Sequence, residues 1–424
     1  MMLDLAAVRA QFPALALTHD GGPRTYLDNP AGTQVPQVVL DRMGEALVEF
    51  NANMHGNFRT SERATEQSHR AHAHMAEFYN ARSDREIVFG PNMTTLTFQM
   101  ARVLGTRFRE GDEIITTHME HEGNNWPWRT MAAERGLVVK TVPFHRDTYE
   151  LDLDAFGDMI TSRTRFAALN VASNLLGTIN PVKQMVAALR EAGAITYLDA
   201  VQYAPHGVID VQELDCDFLV ASSYKFYGPH QGILYGREEL LSSLPAYKLR
   251  TVPDVTPDRY ETGTQSLEGQ AGVIGALEYL AWVGREFGSD LRPADGELSD
   301  RTRDLRAGMR AMVAHEETLS ARLISGLQAI DGVHVHGITD PAAFGRRVPT
   351  VSITAPGLDP AALATFLDAH GVYVWNGHSY ALPVVEFLGI ADQGGVVRTG
   401  PTHYNTLDEI DRCVSLVEQY LGAH

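Results

Sequence analysis

The sequence predicts an α/β protein with a large domain built on a mainly parallel sheet and a smaller α+β domain at the C-terminal end. Three observations favour this fold class. Short apolar runs alternate with helical patterns from about residue 86, and the amino-acid composition of the chain changes after residue 284. The length of 424 residues also exceeds what one hydrophobic core usually supports.

Seven apolar runs supply the strands of the predicted sheet. They lie at residues 86–90, 112–118, 137–142, 165–173, 194–202, 217–225 and 232–236. Runs that are apolar throughout, and that are separated by helical segments such as 180–193, are typical of parallel strands buried on both faces. We therefore expect a mainly parallel, seven-stranded sheet with helical crossovers.

The domain boundary is predicted from a change in composition. Residues 284–318 contain many charged side chains and few aromatic ones, which favours a solvated helix and linker. Shorter apolar runs and an amphipathic helix from about Leu407 follow it. We expect an N-terminal helix within residues 1–20 that packs with the small domain, a large domain over 21–285, and the linker helix with the small domain over 286–424.

Composition excludes several classes of partner. The chain has 35 basic and 53 acidic residues, and the resulting net charge of -18 repels nucleic acid phosphates and anionic lipid headgroups. The N-terminus lacks the pattern of a signal peptide, and no apolar stretch is long enough to span a membrane. Two cysteines are too few for a disulfide framework or a thiolate metal site. We expect a cytoplasmic protein without a bound metal.

Polar residues follow four of the predicted strands, at the sheet edge where α/β proteins bind ligands. The segment GPNMTT (90–95) opens a helix, whose free N–H groups and hydroxyls suit a phosphate, although an ordinary helix cap would look the same. The other strand ends carry His121, then Asp199 and Gln202, then Ser222, Tyr224 and Lys225.

Asp199 and Lys225 are the most informative of these residues. A carboxylate in a buried strand requires a cationic partner. A lysine at the end of an apolar strand is either half of a structural ion pair or an amine made reactive by desolvation. Together with the phosphate-binding turn and His121, the two residues describe a pyridoxal phosphate pocket. In such a pocket the lysine forms a Schiff base with the cofactor, and the aspartate keeps the pyridine nitrogen protonated.

Seven segments carry a family resemblance. They are YLDNPAG (26–32), MEHEGNNWPW (119–128), NVASNLLGTINPV (170–182), YLDAVQYAPHGVIDV (197–211), DCDFLVASSYKFYGP (215–229), ETGTQ (261–265) and VVRTGPTHYNT (396–406). They resemble fold type I pyridoxal phosphate enzymes of the class V aminotransferase family, and the nearest group is the cysteine desulfurases and isopenicillin N epimerase relatives. The resemblance covers nearly the whole chain in order.

The resemblance implies a role for each residue of the cofactor pocket. Lys225 would be the Schiff-base lysine and the base that moves protons at the substrate Cα, and His121 would stack on the cofactor ring. Asp199 would pair with the pyridine nitrogen, and Gln202 would hydrogen-bond the ring phenolate oxygen. The phosphate would be held by Thr94, the backbone of Met93 and Ser222.

Tyr224 departs from the family pattern, because histidine often precedes the lysine in this family. A tyrosine still donates one hydrogen bond but supplies no positive charge.

The resemblance also implies the substrate contacts and the assembly. Arg398 would clamp the α-carboxylate with the help of Asn174, for which the planar guanidinium fork is well suited. His55 lies in a region that lines the active site in relatives, and we expect it to contribute to substrate selection. Thr264 would reach the phosphate of a partner subunit. The resemblance therefore implies a homodimer with the active site at its interface.

One departure from the family concerns the reaction. Desulfurases carry an essential cysteine in a loop that resembles Gly-His-His-Cys-Ala, whereas this chain reads GHSYA at 377–381. Tyr380 stands in place of the sulfur acceptor, and Cys216 and Cys413 are expected to be inert packing residues. We therefore expect β-elimination of the C–S lyase type on cysteine or a cysteine-derived amino acid, without a protein persulfide. His378 and Tyr380 would protonate the leaving thiolate.

The motifs leave other reactions open. A class V aminotransferase or an amino-acid epimerase is the alternative reading. A pseudoenzyme that only binds pyridoxal phosphate is less favoured, because a scaffold does not require both Lys225 and Asp199.

Overall fold

The computed structural model of the chain describes residues 3–294, 296 and 298–423. Its strands are β1 (Thr18–His19), β2 (Gly22–Pro23), β3 (Thr25–Tyr26), β4 (Ile87–Gly90), β5 (Glu113–Thr117), β6 (Val138–Val142), β7 (Thr164–Asn170), β8 (Ile195–Asp199), β9 (Phe218–Ser222), β10 (Gly232–Gly236), β11 (His334–His336), β12 (Val351–Thr354), β13 (Val372–Tyr373), β14 (Trp375–Gly377) and β15 (Val396–Thr399). Its helices are α1 (Leu5–Arg9), α2 (Gln37–Glu49), α3 (Arg59–Tyr79), α4 (Met93–Leu104), α5 (Glu122–Arg135), α6 (Leu153–Met159), α7 (Val182–Glu191), α8 (Val211–Leu214), α9 (Glu238–Ser243), α10 (Leu267–Phe287), α11 (Asp300–Gln328), α12 (Pro360–Ala369), α13 (Leu382–Leu388) and α14 (Leu407–Gly422).

A seven-stranded sheet forms the centre of the molecule, in the order β4-β10-β9-β8-β7-β5-β6. Strands β5 to β9 pair in parallel, whereas β10 pairs antiparallel with both β4 and β9. Residues 223–231 join β9 to β10 and are too short for a helical crossover, so the chain returns antiparallel. The predicted fold class is confirmed, and each of the seven apolar runs overlaps one strand of this sheet.

Helices cover both faces of the central sheet, which explains why its strands are apolar throughout. On one face, Trp128 of α5 packs against Phe166 of β7 and Tyr197 of β8, with ring centroids 4.4 and 4.9 Å apart. On the other face, α3 and α10 contribute buried residues that include Met75 and Ile274. Both layers consist of buried apolar side chains, so the sheet is a well-packed platform for the residues at its strand ends.

The C-terminal part of the chain forms a smaller, antiparallel sheet in the order β11-β12-β15-β14. Helices α11, α12 and α14 cover it through leucine and valine side chains that include Leu323, Leu363 and Val417. The smaller C-terminal domain is thus present, while the residue limits 21–285 and 286–424 stay a prediction.

The N-terminal helix packs where the two sheets meet. Arg9 donates to the carbonyl oxygen of Tyr404 at 2.7 Å and lies 3.1 Å from the Glu409 carboxylate. The Phe12 ring packs on Tyr404 and on Tyr279, with centroids 4.8 and 5.1 Å away. This segment therefore contacts residues of the C-terminal region and residues of the larger core, and its assignment to the small domain stays a prediction.

The prediction of a solvated linker helix after residue 284 was wrong. Helix α11 packs tightly along α10, and a Cβ atom on Gly284 would lie only 1.9 Å from the carbonyl oxygen of Asp304. Its charged side chains are partly buried in pairs: Asp304 accepts from Arg292 at 2.7 Å, and Glu316 lies 2.8 Å from His206. Composition gives the number of charged side chains in a segment, but it does not show whether they are buried in ion pairs.

Candidate active site

A cavity with an empty volume of about 500 Å³ lies at the carboxyl ends of β7, β8 and β9. Nine of the residues predicted for the cofactor and substrate line it, namely Met93, Thr94, His121, Asn174, Asp199, Gln202, Ser222, Tyr224 and Lys225. Sites at this edge are expected in parallel sheets, because the strands deliver their following loops to one place.

Lys225 lies in the turn after β9 and is 8% exposed. Its Nζ donates to the carbonyl oxygen of Pro30 and lies 5.3 Å from the centre of the Tyr224 ring. Burial, reinforced by the nearby Arg398 cation, lowers the pKa of Lys225 to about 7, although Asp28 and Asp199 oppose this shift. The amine is thus about half neutral at pH 7 and mostly neutral at higher pH, and the neutral amine is the form that attacks an aldehyde.

Asp199 ends β8 and lies on the floor of the cavity. Its Oδ1 accepts a hydrogen bond from the backbone N–H of Val201 at 2.9 Å. Burial raises the pKa of Asp199 to about 6, while the Val201 hydrogen bond and Lys225 act in the opposite direction. Above that pH the group is a carboxylate, which can accept a hydrogen bond from a protonated ring nitrogen.

His121 caps the N-terminus of α5 and presents its ring to the cavity. Its Nδ1 accepts from the backbone N–H of Gly123 at 2.9 Å, so in the neutral ring the proton is on Nε2. Burial is the main cause that lowers the pKa of His121 to about 3. A Cβ atom on Gly123 would lie 2.8 Å from Thr94 Oγ1 and 3.0 Å from His121 Nδ1, so glycine preserves the space beside both residues.

The N-terminus of α4 forms the end of the cavity that suits a phosphate. Asn92 caps this helix by accepting from the backbone N–H of Thr95 at 2.8 Å. The backbone N–H of Met93 donates to Ser222 Oγ at 3.0 Å, and Thr94 lies beside it on the cavity wall. The N–H groups and dipole of the helix N-terminus, together with the hydroxyls of Thr94 and Ser222, favour a dianionic group here.

Arg398 on β15 lies next to the cavity and is 3% exposed. Its Nη1 donates to the carbonyl oxygen of Asn174 at 3.1 Å, and its Nη2 donates to Asp28 Oδ1 at 3.3 Å. Sequence reasoning missed Asp28, although it lies in the quoted segment YLDNPAG. The need of a buried arginine for an acidic partner is the signal that would have found it.

Three buried polar atoms near the cavity have no hydrogen-bond partner among the described residues: Gln202 Oε1, Asn174 Oδ1 and Arg398 Nε. Unpaired buried polar groups are costly, so they indicate that a polar ligand completes the site. A neutral lysine, a carboxylate, a flat neutral imidazole and a helix N-terminus match the aldehyde, ring nitrogen, ring face and phosphate of pyridoxal phosphate. The residues present therefore fit this cofactor.

The loop 377–381 lies over His121. Ser379 and Tyr380 both adopt left-handed backbone conformations, with φ of 49° and 58°, which is strained for residues other than glycine. The loop is held in place because the N–H of Glu122 donates to the carbonyl oxygen of Tyr380 at 2.7 Å. The ring centroids of His121 and Tyr380 are 5.7 Å apart.

His378 belongs to the same loop, where its Nδ1 accepts from the backbone N–H of Tyr380 at 3.0 Å. Asn174 also holds the loop, because its Nδ2 donates to the carbonyl oxygen of Ser379 at 2.8 Å. The loop that carries both predicted leaving-group residues, His378 and Tyr380, thus borders the cavity.

Five predicted residues do not line the cavity: Arg398, His378 and Tyr380 lie beside it, whereas His55 and Thr264 lie elsewhere on the molecule. His55 lies in a surface depression formed with residues 56–84, and its backbone N–H donates to Thr65 Oγ1 at 2.9 Å. Thr264 is exposed in the segment before α10. Since its predicted contact is with the phosphate of another subunit, the role of Thr264 and the homodimer stay predictions.

Glu120 is a buried residue of the site that sequence reasoning missed. It accepts from Thr117 Oγ1 and Asn124 Nδ2 at 2.8 Å and from the backbone N–H of Asn170 at 3.0 Å. Burial, with a smaller contribution from Asp199, raises the pKa of Glu120 to about 8. A neutral acid therefore lies beside Asp199 at neutral pH, and its position directly before His121 was the available signal.

The lowered pKa of Lys225 predicts how the protein takes up the cofactor. When cofactor-free protein is mixed with pyridoxal phosphate, the rate at which visible absorbance develops should reach half its maximum near pH 7, rather than near the ordinary lysine value of 10.5. Arg398→Ala should move this midpoint to higher pH, because it removes a positive charge that lowers the pKa of Lys225. Free Nα-acetyl-lysine measured in parallel corrects for titration of the cofactor. A wild-type midpoint above pH 9 would contradict the account.

Two other kinds of site are absent from the part of the chain that the structure describes. Within residues 3–294, 296 and 298–423, no group of three or more His, Cys, Asp or Glu side chains is arranged to hold a metal ion. In the same residues, no helix combines the length and apolar character needed to cross a membrane.

Comparisons with known proteins show the family of the chain. The model of the family described as aminotransferase class-V matches residues 25–290 and 304–413. A cysteine desulfurase of Pectobacterium carotovorum is 32% identical over 98% of this chain and 97% of its own length. A probable cysteine desulfurase of Synechocystis is 34% identical, over 96% of this chain and 93% of its own.

The solved structures give the same result. The apo structure of cysteine desulfurase from Thermococcus onnurineus superimposes with a TM-score of 0.86 and 29% identity, and the match covers 100% of this chain and 99% of that one. A family model that covers most of the chain, relatives above 30% identity over nearly all of it, and a cavity that fits the cofactor lead to one conclusion. The chain belongs to the aminotransferase class-V family of pyridoxal phosphate-dependent enzymes.

Proposed function

We propose that this enzyme catalyses β-elimination on cysteine or a cysteine-derived amino acid and does not carry sulfur on a protein thiol. With L-cysteine and one water molecule the products are pyruvate, ammonia and hydrogen sulfide. The observation that carries the proposal is the tyrosine at position 380, in the loop over His121, where the resemblance places the essential cysteine of desulfurases. The desulfurase names of the relatives support cysteine as the substrate class.

Neither cysteine of the chain is suited to accept sulfur. Cys216 is 0% exposed and lies just before β9, at the end of that strand away from the cavity. Cys413 is 2% exposed and packs within the C-terminal core on α14. Burial raises the pKa of the Cys216 thiol well above its usual range and that of Cys413 to about 12. A thiolate is the form that attacks sulfur, so both groups are unreactive.

The cofactor, when bound, supplies a ring that withdraws electrons from the substrate Cα. In this proposal Lys225 takes the proton from Cα, for which a pKa of about 7 is well matched to neutral pH. Asp199 keeps the ring nitrogen protonated, and His121 supplies a flat, neutral face. Burial favours the neutral forms of Lys225 and His121 that these functions require, whereas Asp199 is a carboxylate above about pH 6 despite its burial.

The substrate carboxylate and the leaving sulfur are assigned to separate groups. The Arg398 guanidinium, which keeps an unpaired Nε, binds the α-carboxylate, and Asn174 assists it. His378 and Tyr380 donate the proton that the departing thiolate requires. Because the Tyr380 side chain is 61% exposed, the sulfur side of the site faces solvent.

The double variant C216A/C413A tests the proposal. It should produce pyruvate, ammonia and sulfide from L-cysteine and from S-substituted cysteines at rates within about twofold of the wild type, since neither thiol reaches the cavity. A parallel melting curve separates lost activity from lost folding, because each substitution leaves a small cavity in a packed core. Loss of turnover in a folded, cofactor-loaded double variant would contradict a mechanism without a protein thiol.

The products distinguish the alternative reactions. Pyruvate from substrates with a β-leaving group supports elimination. Conversion of the cofactor to its pyridoxamine form by amino donors, without pyruvate, would favour an aminotransferase. Loss of optical activity of the amino acid would favour an epimerase, and binding of cofactor without turnover would favour a pseudoenzyme.

A further inference from the structure

The amide of Gln202 lies between the cavity and Thr350. Its Nε2 is 2.9 Å from Thr350 Oγ1, and the two residues are 4% and 0% exposed. The other amide atom, Oε1, is buried and has no partner among the described residues. Since Gln202 lines the cavity, the orientation of its amide decides whether a ligand meets a donor or an acceptor.

Two orientations of this amide are possible, and the hydrogen-bond network selects between them. With Nε2 toward Thr350, both Gln202 Oε1 and the hydroxyl proton of Thr350 lack a partner within the described part of the chain. Rotation of the amide by half a turn lets the hydroxyl donate to Oε1 and turns the NH₂ group toward the cavity. The rotated orientation satisfies every one of these groups once the cavity holds an acceptor.

We propose that Thr350 is a positioning residue that directs the NH₂ group of Gln202 toward the cavity, where it donates to the anionic ring oxygen of the cofactor. The inference rests on the proposed placement of pyridoxal phosphate beside Lys225 and Asp199. It adds Thr350, a residue outside the cavity wall, whose hydroxyl determines whether Gln202 presents a donor or an acceptor to the cavity.

Arg347 holds Thr350 in place. The Arg347 guanidinium is buried, and it donates to the carbonyl oxygens of Thr350 at 2.5 Å and Val348 at 3.3 Å, and to that of Ile338. The backbone of Gly177 also packs closely here, because a Cβ atom on it would lie 2.6 Å from the Thr350 carbonyl oxygen. Thr350 is therefore fixed by the segment that leads into β12, while Gln202 belongs to the central sheet.

The test compares Thr350→Val with Thr350→Ser, with Gln202→Ala and with the double variant T350V/Q202A, all loaded with cofactor. The readout is the pH titration of the visible absorption band, which requires no substrate. Valine has nearly the shape of threonine but no hydroxyl, and serine keeps the hydroxyl. Thr350→Ala provides a second hydroxyl-free variant if the valine variant does not fold.

A hydrogen bond donated to the ring oxygen would stabilise the anionic form of that oxygen. It would therefore lower the pKa of the proton on the nitrogen that joins Lys225 to the cofactor, which is the pKa that the visible band reports. Thr350→Val and Gln202→Ala should therefore each move the titration midpoint upward by about 0.5 to 1 pH unit, the size expected for one net hydrogen bond. Thr350→Ser should titrate like the wild type. The double variant should shift no further than Gln202→Ala alone, because Thr350 acts through Gln202.

A normal midpoint in Thr350→Val beside a shifted Gln202→Ala would overturn the inference, and so would additive shifts in the double variant. A wild type without a visible band would overturn the cofactor placement and this inference with it. If the variants titrate as expected but the protein makes no pyruvate, the role of Thr350 stands and only the proposed elimination is refuted.

Discussion

Replacement of Lys225 by alanine should abolish the visible absorbance of the cofactor-loaded protein and lower turnover by at least about 10³-fold. Lys225 is the amine whose burial lowers its pKa to about 7, and it lies in the cavity with Asp199 and His121. The variant removes both the covalent attachment point and the base for the Cα proton. An absorption spectrum and a coupled pyruvate assay measure the two losses.

Lys183→Ala is the matched control for this prediction. The Lys183 side chain is 64% exposed on α7, where it pairs with Glu213 at 2.9 Å. Its removal should change neither spectrum nor rate, since exposed ion pairs contribute little. A Lys225→Ala protein that keeps its visible band and its turnover would assign the reactive amine to another residue.

Replacement of Asp199 by asparagine should lower kcat/KM by about 10²- to 10³-fold, the range typical of removing one preorganised electrostatic group. Asparagine has almost the same shape but no charge, so it no longer keeps the ring nitrogen protonated. Since Lys225 is intact, the variant should still develop a visible band. This combination of retained absorbance and lost turnover separates the role of Asp199 from that of Lys225.

Asp217→Asn controls for the loss of a buried carboxylate. Asp217 lies at the opposite end of the central sheet, where its Oδ2 accepts from the backbone N–H of Thr196 at 2.8 Å. This variant should lower the melting temperature but leave kcat/KM of the folded protein unchanged. Equal losses of kcat/KM in the folded Asp199 and Asp217 variants would show that stability, rather than ring protonation, explains the effect.

The sequence allowed prediction of the large sheet and of the cavity wall, because both depend on local patterns. Strands buried on two faces are apolar throughout, and Asp199 and Lys225 follow such strands directly. Residues that act across long stretches of chain left no local signal. Asp28 and Arg398 are 370 positions apart in the sequence, and Gln202 and Thr350 are 148 positions apart.

The histidines of α3 show the same limit of local reasoning. His72 and His74 are buried, and His72 Nε2 lies 2.7 Å from the Glu261 carboxylate. Partners on the same helix do not account for this burial. Glu261 is remote in sequence and reaches His72 through the segment before α10, which periodicity does not reveal.

The fate of the cysteine sulfur tests the central claim most directly. The wild-type protein is incubated with L-cysteine without reductant, pyruvate and alanine are quantified, and the intact protein mass is recorded. The account predicts pyruvate with ammonia and sulfide in equal amounts, no alanine, and no sulfur added to the protein. Alanine formed in step with a sulfur adduct on Cys216 or Cys413 would contradict it and identify a persulfide mechanism instead.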